Sequence, residues 1–361
     1  MRALLVVRAD AATKPGGDLV HAELAAEALR AAAVDATIVA SDAPSADGYD
    51  VAHVFGIFEP ERAALQITAI RAAGVPLVLS PIWLDLRAFF AVAPEIERAL
   101  GARNPATVDR LLARVRERES ALTWEGRAAR NADRRLAVQR ALLLNADVVL
   151  PASEVEAYLY GERLRATSVP FVVAPLGVHD DAFAVNRAAR RGGVLCAGRI
   201  EPKKNQAALL YALRDVDVDI TLVGRAHDPR YLALCRRWAT PRTRFVEHAP
   251  REDVLRMMAG AAVHAHASWF ESPGLSSLEA AAAGARIVVG DRGCEREYFG
   301  PHVDYADPAD PTSVRAAVLR ALERAPRDRG DALDRRLGKR TWERHAEATL
   351  EGYARAIAAP R

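Results

Sequence analysis

The sequence predicts an α/β protein made of two doubly wound domains with parallel sheets, which face each other across a cleft. Its 361 residues are enough for two domains of about 150 residues each. Short β-branched runs alternate with longer Ala/Leu/Arg segments of helical period, a pattern typical of βαβ units. The alternation occurs twice, and between the two series lies a polar, basic stretch at residues 183–193 that is typical of a linker.

The first predicted domain covers residues 1–183 and the second covers residues 193–340. Strands in the first are expected at Ala3–Val7, Ala36–Val39, Val51–Phe55, Pro76–Leu79, Val148–Leu150 and Val172–Ala174. Strands in the second are expected at Val194–Ala197, Ile220–Val223, Arg244–Val246, Val263–Ala265, Ile287–Val289 and Val303–Tyr305. A final helix over residues 341–361 is expected to pack back onto the first domain. Ligands of such sheets bind beyond the carboxyl ends of the strands.

Composition excludes several classes of protein. The chain is 50% hydrophobic and 27% charged, which is the balance of a soluble globular protein. Its net charge of only +3 gives no argument for nucleic acid as a partner. The three cysteines lie far apart in the sequence, which disfavours a disulfide framework. Because there is neither a signal-peptide core nor a long apolar run, we expect a cytoplasmic protein, at most peripheral to the inner face of a membrane.

The densest cluster of unusual residues runs from Ser268 to Glu279. Pro273 and Gly274 disfavour a helix and the residues after them favour one, so a loop is expected to become a helix there. The free amides of a first helical turn can bind an anion such as a phosphate. Glu271 and Glu279 flank this turn and could bind sugar hydroxyls. For Glu279 an alternative is a capping box formed with Ser276, which would be purely structural.

A second cluster, Cys196 to Gln206, follows the first strand of the second domain. Gly198 allows the backbone to turn, and Arg199 and Lys204 bring two positive charges to the same edge of the sheet. A guanidinium fork and an ammonium group together suit a diphosphate. The alternative is that these charges pair with Glu201 or face solvent, which is the commoner fate of surface charges.

Together these residues resemble the retaining, GT-B-fold glycosyltransferases of family 4, the glycosyl transferases group 1. The resemblance rests on Gly198-Arg199-Ile200-x-Pro202-x-Lys204-Asn205, Leu222-Val223-Gly224, and Glu271-Ser272-Pro273-Gly274-Leu275 followed by Glu279-Ala280 and Ala283-Gly284. Seven residues separate the two glutamates, as in the family's E-x7-E motif. In the first domain, Lys14-Pro15-Gly16-Gly17-Asp18 resembles the family's glycine-rich loop, and Pro175-Leu176-Gly177-Val178 with Phe183 resembles its domain junction.

The resemblance implies a GT-B fold with two Rossmann-like domains and assigns roles to these residues. It implies that Arg199 and Lys204 hold the diphosphate of a nucleotide-sugar donor, and that Glu279 binds the ribose while Glu271 faces the transferred sugar. The phosphate would be capped by the amides around Gly274, Leu275 and Ser276. Gly16 and Gly17 would lie near the phosphate and the acceptor. The family is held to work without a metal or other cofactor, with retention by same-face attack.

One departure from the family is the absence of a histidine after the fourth strand of the first domain. The corresponding stretch is Leu79-Ser80-Pro81-Ile82-Trp83-Leu84-Asp85. His53 is an alternative, although a lone histidine at a strand end is more often a satisfied core residue. His264 and His266 alternate with apolar residues and are interpreted as mainly structural.

The charge is unevenly distributed along the chain. Within Arg103–Arg140, which belongs to the first predicted domain, ten arginines outnumber five acidic residues. Leu111, Leu112, Val115 and Trp124 are interspersed among them. Such a segment suits contact with anionic lipid or a phosphate-bearing lipid acceptor. The alternative is a solvated pair of helices laced with Arg/Glu pairs.

The sequence therefore predicts a retaining glycosyltransferase that moves a sugar from a nucleotide diphosphate-sugar to a hydroxyl of a glycan or glycolipid. Two alternatives within the fold are a nucleotide-sugar epimerase and a phosphorylase. A third is a catalytically silent nucleotide-binding subunit.

Overall fold

The computed structural model of the protein describes residues 1–121, 129–186 and 192–360. Contacts divide the chain into two compact units. Unit 1 comprises Met1–Leu84, Arg130–Gly177 and Lys339–Arg361, and unit 2 comprises Asp85–Ala129 and Val178–Gly338.

The strands and helices alternate along most of the chain. In order they are β1 (Arg2–Val7), α1 (Gly17–Ala31), β2 (Asp35–Ala40), β3 (Val51–Phe55), α2 (Pro60–Ala72), β4 (Leu77–Ser80), α3 (Arg87–Leu100), α4 (Pro105–Ala121), α5 (Ala129–Leu144), β5 (Val148–Val149), α6 (Glu154–Leu164), α7 (Asp180–Ala184), β6 (Gly192–Ala197), α8 (Gln206–Ala212), β7 (Ile220–Val223), α9 (Pro229–Arg237), β8 (Thr243–Val246), α10 (Arg251–Gly260), β9 (Ala261–His266), α11 (Leu275–Ala282), β10 (Arg286–Gly290), α12 (Glu295–Phe299), β11 (Asp304–Ala306), α13 (Pro311–Glu323), α14 (Ala332–Leu337) and α15 (Trp342–Ala358). Short 3₁₀ helices occupy Pro202–Lys204 and Gly300–His302.

Each unit contains one parallel sheet. In unit 1 the strand order is β2-β1-β3-β4-β5, and in unit 2 it is β11-β10-β9-β6-β7-β8. The central strands β3 and β4 are buried along their whole length, which explains why they are almost continuously apolar rather than alternating. The predicted α/β class with two doubly wound, parallel-sheet units is confirmed.

One predicted strand, Val172–Ala174, does not form. This segment runs beside β5 and donates from Val172 N to Val149 O (3.0 Å) and from Ala174 N to Pro151 O (2.9 Å). The ladder lacks the bond between these two because Pro151 has no N–H to donate. A single bridge between Val149 and Phe171 is what remains of the predicted strand.

The helices α3 and α4 pack in unit 2, although the predicted first domain, residues 1–183, included them. Val92 and Ile96 of α3 and Val108, Leu112 and Val115 of α4 are buried in the same apolar core as β6, β7 and α8. Trp238 Nε1 donates to Leu100 O at 2.8 Å and Tyr211 Oη donates to Asp109 at 2.6 Å, which fixes both helices to α8 and α9. The amphipathic pattern of these helices shows that they have a buried face but not which core receives it.

This packing changes the interpretation of the basic segment. The apolar residues Leu112 and Val115 are buried in the core of unit 2, so they are not available for insertion into a lipid layer. Arg103, Arg110 and Arg114 are exposed, whereas Arg116 pairs with Asp310 at 2.9 Å. Trp124 and Arg127 lie outside the described residues, as do residues 187–191 of the predicted linker. Among the described residues, no helix is both long and apolar enough to cross a bilayer.

The terminal helix α15 packs in unit 1 against α1 and the sheet. It buries Trp342 and Tyr353, and the Tyr353 hydroxyl lies 3.0 Å from His53 Nδ1. A Cβ atom at Gly177 would lie 2.5 Å from Trp342 N, so only glycine fits where the chain passes the start of this helix.

Candidate functional site

The two sequence clusters of the second half meet at one edge of the sheet in unit 2. The loop that begins at Gly198 follows β6, and the loop that begins at Ala267 follows β9, the strand next to β6. Parallel strands point their carboxyl ends to the same edge, so both loops leave the sheet side by side. Trp269 N donates to Lys203 O at 3.0 Å and links them directly.

The conformation of the first loop is fixed by two buried amide side chains. Asn205 has a left-handed backbone (φ 62°), and its Nδ2 donates to Ala267 O at 3.2 Å and to Pro308 O at 2.8 Å. Gln206 Nε2 donates to Arg199 O at 2.7 Å. A Cβ atom at Gly224 would lie 2.2 Å from Gly198 O, so Leu222-Val223-Gly224 must end in glycine for the loops to pass. These contacts hold Lys204 in place.

Lys204 and Glu271 form an ion pair, with 2.5 Å between Nζ and Oε1. Their side chains are only 14% and 11% exposed. Burial raises the pKa of Glu271, but the neighbouring charges of Lys204 and Lys203 and the hydrogen bond from Lys204 outweigh this and lower the pKa to about 2. Glu271 is therefore a carboxylate at neutral pH, and Lys204 supplies the partner that a nearly buried carboxylate needs.

Arg199 lies in the same loop but does not reach this ion pair. Its guanidinium contacts Glu201 Oε1 at 3.3 Å, which is the structural alternative foreseen for this residue. The side chain is 32% exposed. Arg199 is thus a partly exposed cation at the edge of the site, and it forms a weak ion pair with Glu201 of the same loop.

The second loop ends where α11 begins, at Gly274. No side chain caps this helix, so the capping box proposed as an alternative for Ser276 and Glu279 is not formed. Ser277 N and Leu278 N both bond to Gly274 O, whereas the amides of Gly274, Leu275 and Ser276 precede the helical ladder and have no acceptor within it. These three amides give the helix start the donor groups that an anion needs.

Glu279 is held by an arginine that the sequence did not single out. Arg251, the first residue of α10, places Nη1 2.5 Å from Glu279 Oε1. The same guanidinium forms two 3.0 Å bonds to Asp181 of α7. Burial raises the pKa of Glu279, and the charge of Arg251 opposes this rise. A nearly buried glutamate signals that a partner exists, but Arg251 lies 28 positions before Glu279 in the sequence, so no local pattern identifies it.

Three further titratable side chains are buried around Glu271. His266 Nε2 lies 4.0 Å from Glu271 Oε1, and the His264 ring lies 5.8 Å from the His266 ring. No ring nitrogen of either histidine has a hydrogen-bond partner among the described residues. Burial lowers the pKa of His264 to about 3 and that of His266 to about 4, so both rings are neutral.

The third group is Glu295, which sequence reasoning missed. Its side chain is 2% exposed, and no described residue donates to its Oε2. Burial and the charge of Glu271 raise the pKa of Glu295 well above its usual range. A Cβ atom at Gly293 would lie 2.3 Å from both Glu295 Oε2 and Glu271 O, so glycine is required between the two.

The predicted residues of the first half lie in unit 1. Gly16 precedes α1 in an extended conformation, and Gly17 is its first residue. Arg8 bonds to Asp10 at 2.9 Å and to Asp18 at 2.7 Å, which closes the loop around them. His53, the alternative to the missing histidine, contacts Tyr353 and Ser80 Oγ at 3.0 and 2.9 Å and is a satisfied core residue.

In the segment without the histidine, Trp83 is buried. Its backbone N donates to Glu156 at 2.6 Å, and its Nε1 donates to Gln139 at 3.1 Å. Trp83 therefore serves the packing of unit 1.

Acidic residues elsewhere do not form a metal site in the part of the chain that the structure describes. The sequence contains an Asp-x-Asp-x-Asp run at Asp215, Asp217 and Asp219. Asp217 and Asp219 pair with Arg242 at 2.7 and 2.8 Å, and Asp215 pairs with Arg315. These three carboxylates are surface partners of arginines.

Comparison with known proteins supports the resemblance. Residues 191–324 match the family model described as glycosyl transferases group 1. The match includes every predicted donor-binding residue from Arg199 to Glu279, although it covers only somewhat more than a third of the chain. The resemblance to group 1 glycosyl transferases is thus confirmed for this region. No curated protein matches the whole sequence significantly.

Solved structures match over nearly the whole chain. Sucrose-phosphate synthase from Thermosynechococcus elongatus has a TM-score of 0.60 at 18% identity and covers 99% of this chain and 96% of its own. Anabaena HepE in complex with UDP and glucose has a TM-score of 0.66 at 15% identity, with 98% and 99% covered. An E. coli trehalose-6-phosphate structure bound with UDP-2-fluoro glucose has a TM-score of 0.63 at 12% identity, and the match covers 100% of both chains. At identities this low the similarity shows a shared fold, the GT-B fold.

Proposed function

We propose that this protein, which carries a group 1 glycosyl transferase region at residues 191–324, is a retaining glycosyltransferase. It moves a hexose from a nucleoside diphosphate-sugar to a hydroxyl of a glycan or glycolipid. The observation that carries the proposal is the nearly buried Lys204–Glu271 ion pair beside the uncapped start of α11. A carboxylate, an ammonium group and free amides in one place provide acceptors for sugar hydroxyls and donors for phosphate oxygens.

The donor is proposed to lie along the edge of the unit 2 sheet. Its diphosphate contacts Lys204, Arg199 and the amides of Gly274, Leu275 and Ser276. Its sugar hydroxyls donate to Glu271, and its ribose hydroxyls donate to Glu279. Arg199 exchanges its weak partner Glu201 for phosphate, which is a small loss because exposed ion pairs contribute little. That Gly16 and Gly17 approach the phosphate and the acceptor stays a prediction.

The reaction follows from these contacts. The bond between the anomeric carbon and the β-phosphate oxygen breaks, and its electron pair stays on the phosphate. The acceptor oxygen attacks the same face of the sugar and forms the new glycosidic bond, while its proton passes to the leaving phosphate oxygen. Lys204, Arg199 and the amides stabilise the charge that develops on that phosphate, which is the largest contribution such a site can make. No cofactor takes part in this scheme.

Carboxylate geometry argues against a glycoside hydrolase. Hydrolases place two carboxyl groups on opposite sides of the bond they cleave. Glu271 and Glu279 belong to one continuous loop and helix, and their different partners, Lys204 and Arg251, give them separate tasks.

A uridine diphosphate sugar is the first donor to test, because the Anabaena and E. coli structures hold UDP compounds. Sugar phosphates belong among the acceptors tested, because one structural neighbour is a sucrose-phosphate synthase. Glycans and lipid-linked sugars complete the set.

The exposed arginines of the basic segment support a charge-driven contact with an anionic surface at the cytoplasmic face of a membrane. Arg103, Arg110 and Arg114 each contribute about 1 kcal/mol near such a surface. Because Leu112 and Val115 are buried in unit 2, we expect no apolar insertion. At low salt the wild-type protein should sediment with anionic vesicles. It should stay in the supernatant when all three arginines are replaced by glutamine or when the salt concentration is raised. Binding that survives high salt contradicts this.

The proposed activity is tested with thermal shifts and product analysis. The protein is screened against UDP, GDP and ADP and then their sugars, since a bound ligand raises the unfolding temperature. With the sugar that binds, we expect an acceptor-dependent product that keeps the anomeric configuration of the donor. A changed sugar without acceptor identifies an epimerase, and a phosphate requirement identifies a phosphorylase. Nucleotide binding without any product identifies a catalytically silent nucleotide-binding subunit, and absence of any nucleotide binding also overturns the proposal.

A further inference from the structure

We propose that Arg251, clamped by Asp181, is a positioning residue that orients the Glu279 carboxylate toward a ribose diol, so that the protein selects ribonucleotides over 2′-deoxyribonucleotides. The inference rests on the proposed donor site and extends it to two residues that neither the sequence motifs nor the family match singles out.

The contacts form a chain across three helices of unit 2. Asp181 lies in α7, Arg251 is the first residue of α10, and Glu279 lies in the second turn of α11. Arg251 Nε and Nη2 each lie 3.0 Å from one carboxylate oxygen of Asp181. Its Nη1 contacts Glu279 Oε1 at 2.5 Å. All three nitrogens of the guanidinium thus bond to a carboxylate.

A two-bond contact fixes the guanidinium plane, because both N–H groups must point at the two oxygens of one carboxylate. Asp181 therefore determines the direction of the remaining Nη1–H group. That group bonds to Oε1 of Glu279, and the other oxygen has no hydrogen-bond donor among the described residues and is left for a ligand. An ammonium group in place of Arg251 could not transmit this direction, because it is a point charge without a plane.

The contacts of Glu279 favour a vicinal diol as its ligand. In nucleotide-binding α/β domains an acidic residue accepts from ribose hydroxyls, and a carboxylate can accept several hydrogen bonds at once. The side chain of Glu279 is 14% exposed, so part of it remains accessible to a ligand. A nearly buried carboxylate with one oxygen left for a ligand discriminates by the hydroxyl that meets it, because that oxygen loses a hydrogen-bond donor when the hydroxyl is absent.

Arg256 offers a matched control on the same helix. It pairs with Glu252 and Asp253 of α10 itself and has no bond to α11 or α7 among the described residues. Replacing Arg256 removes the same charge from α10 without touching Glu279.

The test is calorimetric titration of the full chain with UDP, GDP and ADP and with the 2′-deoxy form of whichever binds. Wild type and Arg256→Gln should bind the ribonucleotide about tenfold more tightly than its deoxy form, which is the effect of one lost hydrogen bond. Arg251→Gln should bind the ribonucleotide about tenfold more weakly than wild type and should leave the deoxy form nearly unchanged. For Asp181→Asn and Arg251→Lys, the ratio of ribonucleotide affinity to deoxyribonucleotide affinity should lie between the ratios of wild type and Arg251→Gln.

Three outcomes overturn the inference while the proposed function stands. The first is equal binding of the ribose and deoxy forms by wild type. The second is an equal loss for both forms in Arg251→Gln, which would make Arg251 a general counter-charge for the diphosphate. The third is full discrimination by Arg251→Lys, which would show that the charge alone suffices. If wild type binds none of the three nucleotides, the proposed function fails and the inference fails with it.

Discussion

The two glutamates of the E-x7-E segment, Glu271 and Glu279, are similar in burial and opposite in electrostatics. Their side chains are 11% and 14% exposed. The pKa of Glu271 falls to about 2, whereas that of Glu279 rises. The cause lies in their partners. Lys204 is nearly buried and points its charge at Glu271, while Arg251 is 44% exposed and shares its charge with Asp181.

This difference shows how one short segment can bind two chemically different parts of a ligand. At Glu271 a buried point charge keeps the carboxylate ionised where the sugar is proposed to react. At Glu279 a planar guanidinium fixes the direction of a carboxylate whose proposed partner, the ribose, does not react. The first arrangement therefore fixes a charge state, and the second fixes an orientation.

The largest expected effect separates the two glutamates by turnover. Glu271→Ala should lower kcat by about 10²–10³-fold, because it removes a charged group at the reacting sugar. Glu279→Ala should act mainly through KM for the donor, since the ribose contact is the same before and during reaction. Steady-state kinetics on the true substrates measures both. Wild-type turnover by a folded Glu271→Ala protein would contradict the assignment.

The next effect concerns stability. Lys204→Met leaves Glu271 ionised, nearly buried and unpaired, which should lower the free energy of unfolding by about 3 kcal/mol. Lys204→Met combined with Glu271→Gln should recover much of this, since a neutral pair no longer needs the ammonium group. Arg251→Met should cost less because Arg251 itself and its partner Asp181 are more exposed. Urea unfolding of wild type, Lys204→Met, Glu271→Gln, the double variant and Arg251→Met measures these differences, and an additive double variant would argue against coupling.

The sequence predicted the sheets well because buried parallel strands are short apolar runs with few alternatives. It located Lys204 and Glu271 because both follow strands that end at one edge of the sheet. It could not find Arg251 or Asp181, whose contacts with Glu279 depend on how three helices pack. The sequence also could not identify Glu295, because an acidic residue in a charged stretch such as Arg292–Glu297 is usually exposed.

The placement of α3 and α4 shows another limit. Val108, Leu112 and Val115 have the spacing of a buried helix face, and the same spacing suits a membrane-surface helix. Only the tertiary contacts with α8 and α9 distinguish the two. The predicted strand at Val172–Ala174 failed through one atom, the missing N–H of Pro151 in the neighbouring segment.

A smaller effect uses acid to charge two buried histidines near Glu271, which titrate together with the buried His21, His53 and His345 of unit 1. His264 and His266 are buried and neutral, with pKa values lowered from the usual 6.5 to about 3 and about 4. The unfolded state binds their protons first, so their contribution to stability is complete above pH 6.5 and is lost as the pH falls below it. At pH 5 each histidine should lower the free energy of unfolding by about 2 kcal/mol relative to its value above pH 6.5.

Urea unfolding between pH 7.5 and pH 5 checks this. His266→Asn should reduce the drop in the free energy of unfolding over this pH range by about 2 kcal/mol. The matched control is His227→Asn at an exposed position, which should leave the drop unchanged. A loss of the same steepness in wild type and His266→Asn would mean that His266 is not the group that titrates.

The smallest effect concerns Glu295. Its pKa is raised well above the usual 4.5, so the folded state holds a proton that the unfolded state releases, and stability falls as the pH rises above that value. Glu295→Gln removes this penalty without changing shape. The variant should be more stable than wild type by about 1 kcal/mol at pH 8, with a smaller gain at pH 5. A destabilised variant would indicate a needed carboxylate.

The most direct test of the account compares affinities for UDP and UDP-glucose in Glu271→Gln and Glu279→Gln by calorimetry, or for the pair of another base if the screen selects one. We predict that Glu279→Gln weakens both ligands by the same factor, since both contain the ribose. We predict that Glu271→Gln weakens the binding of UDP-glucose and leaves the affinity for UDP unchanged. Equal losses in both variants, or the reverse pattern, would contradict the division of the site between a sugar-binding and a ribose-binding glutamate.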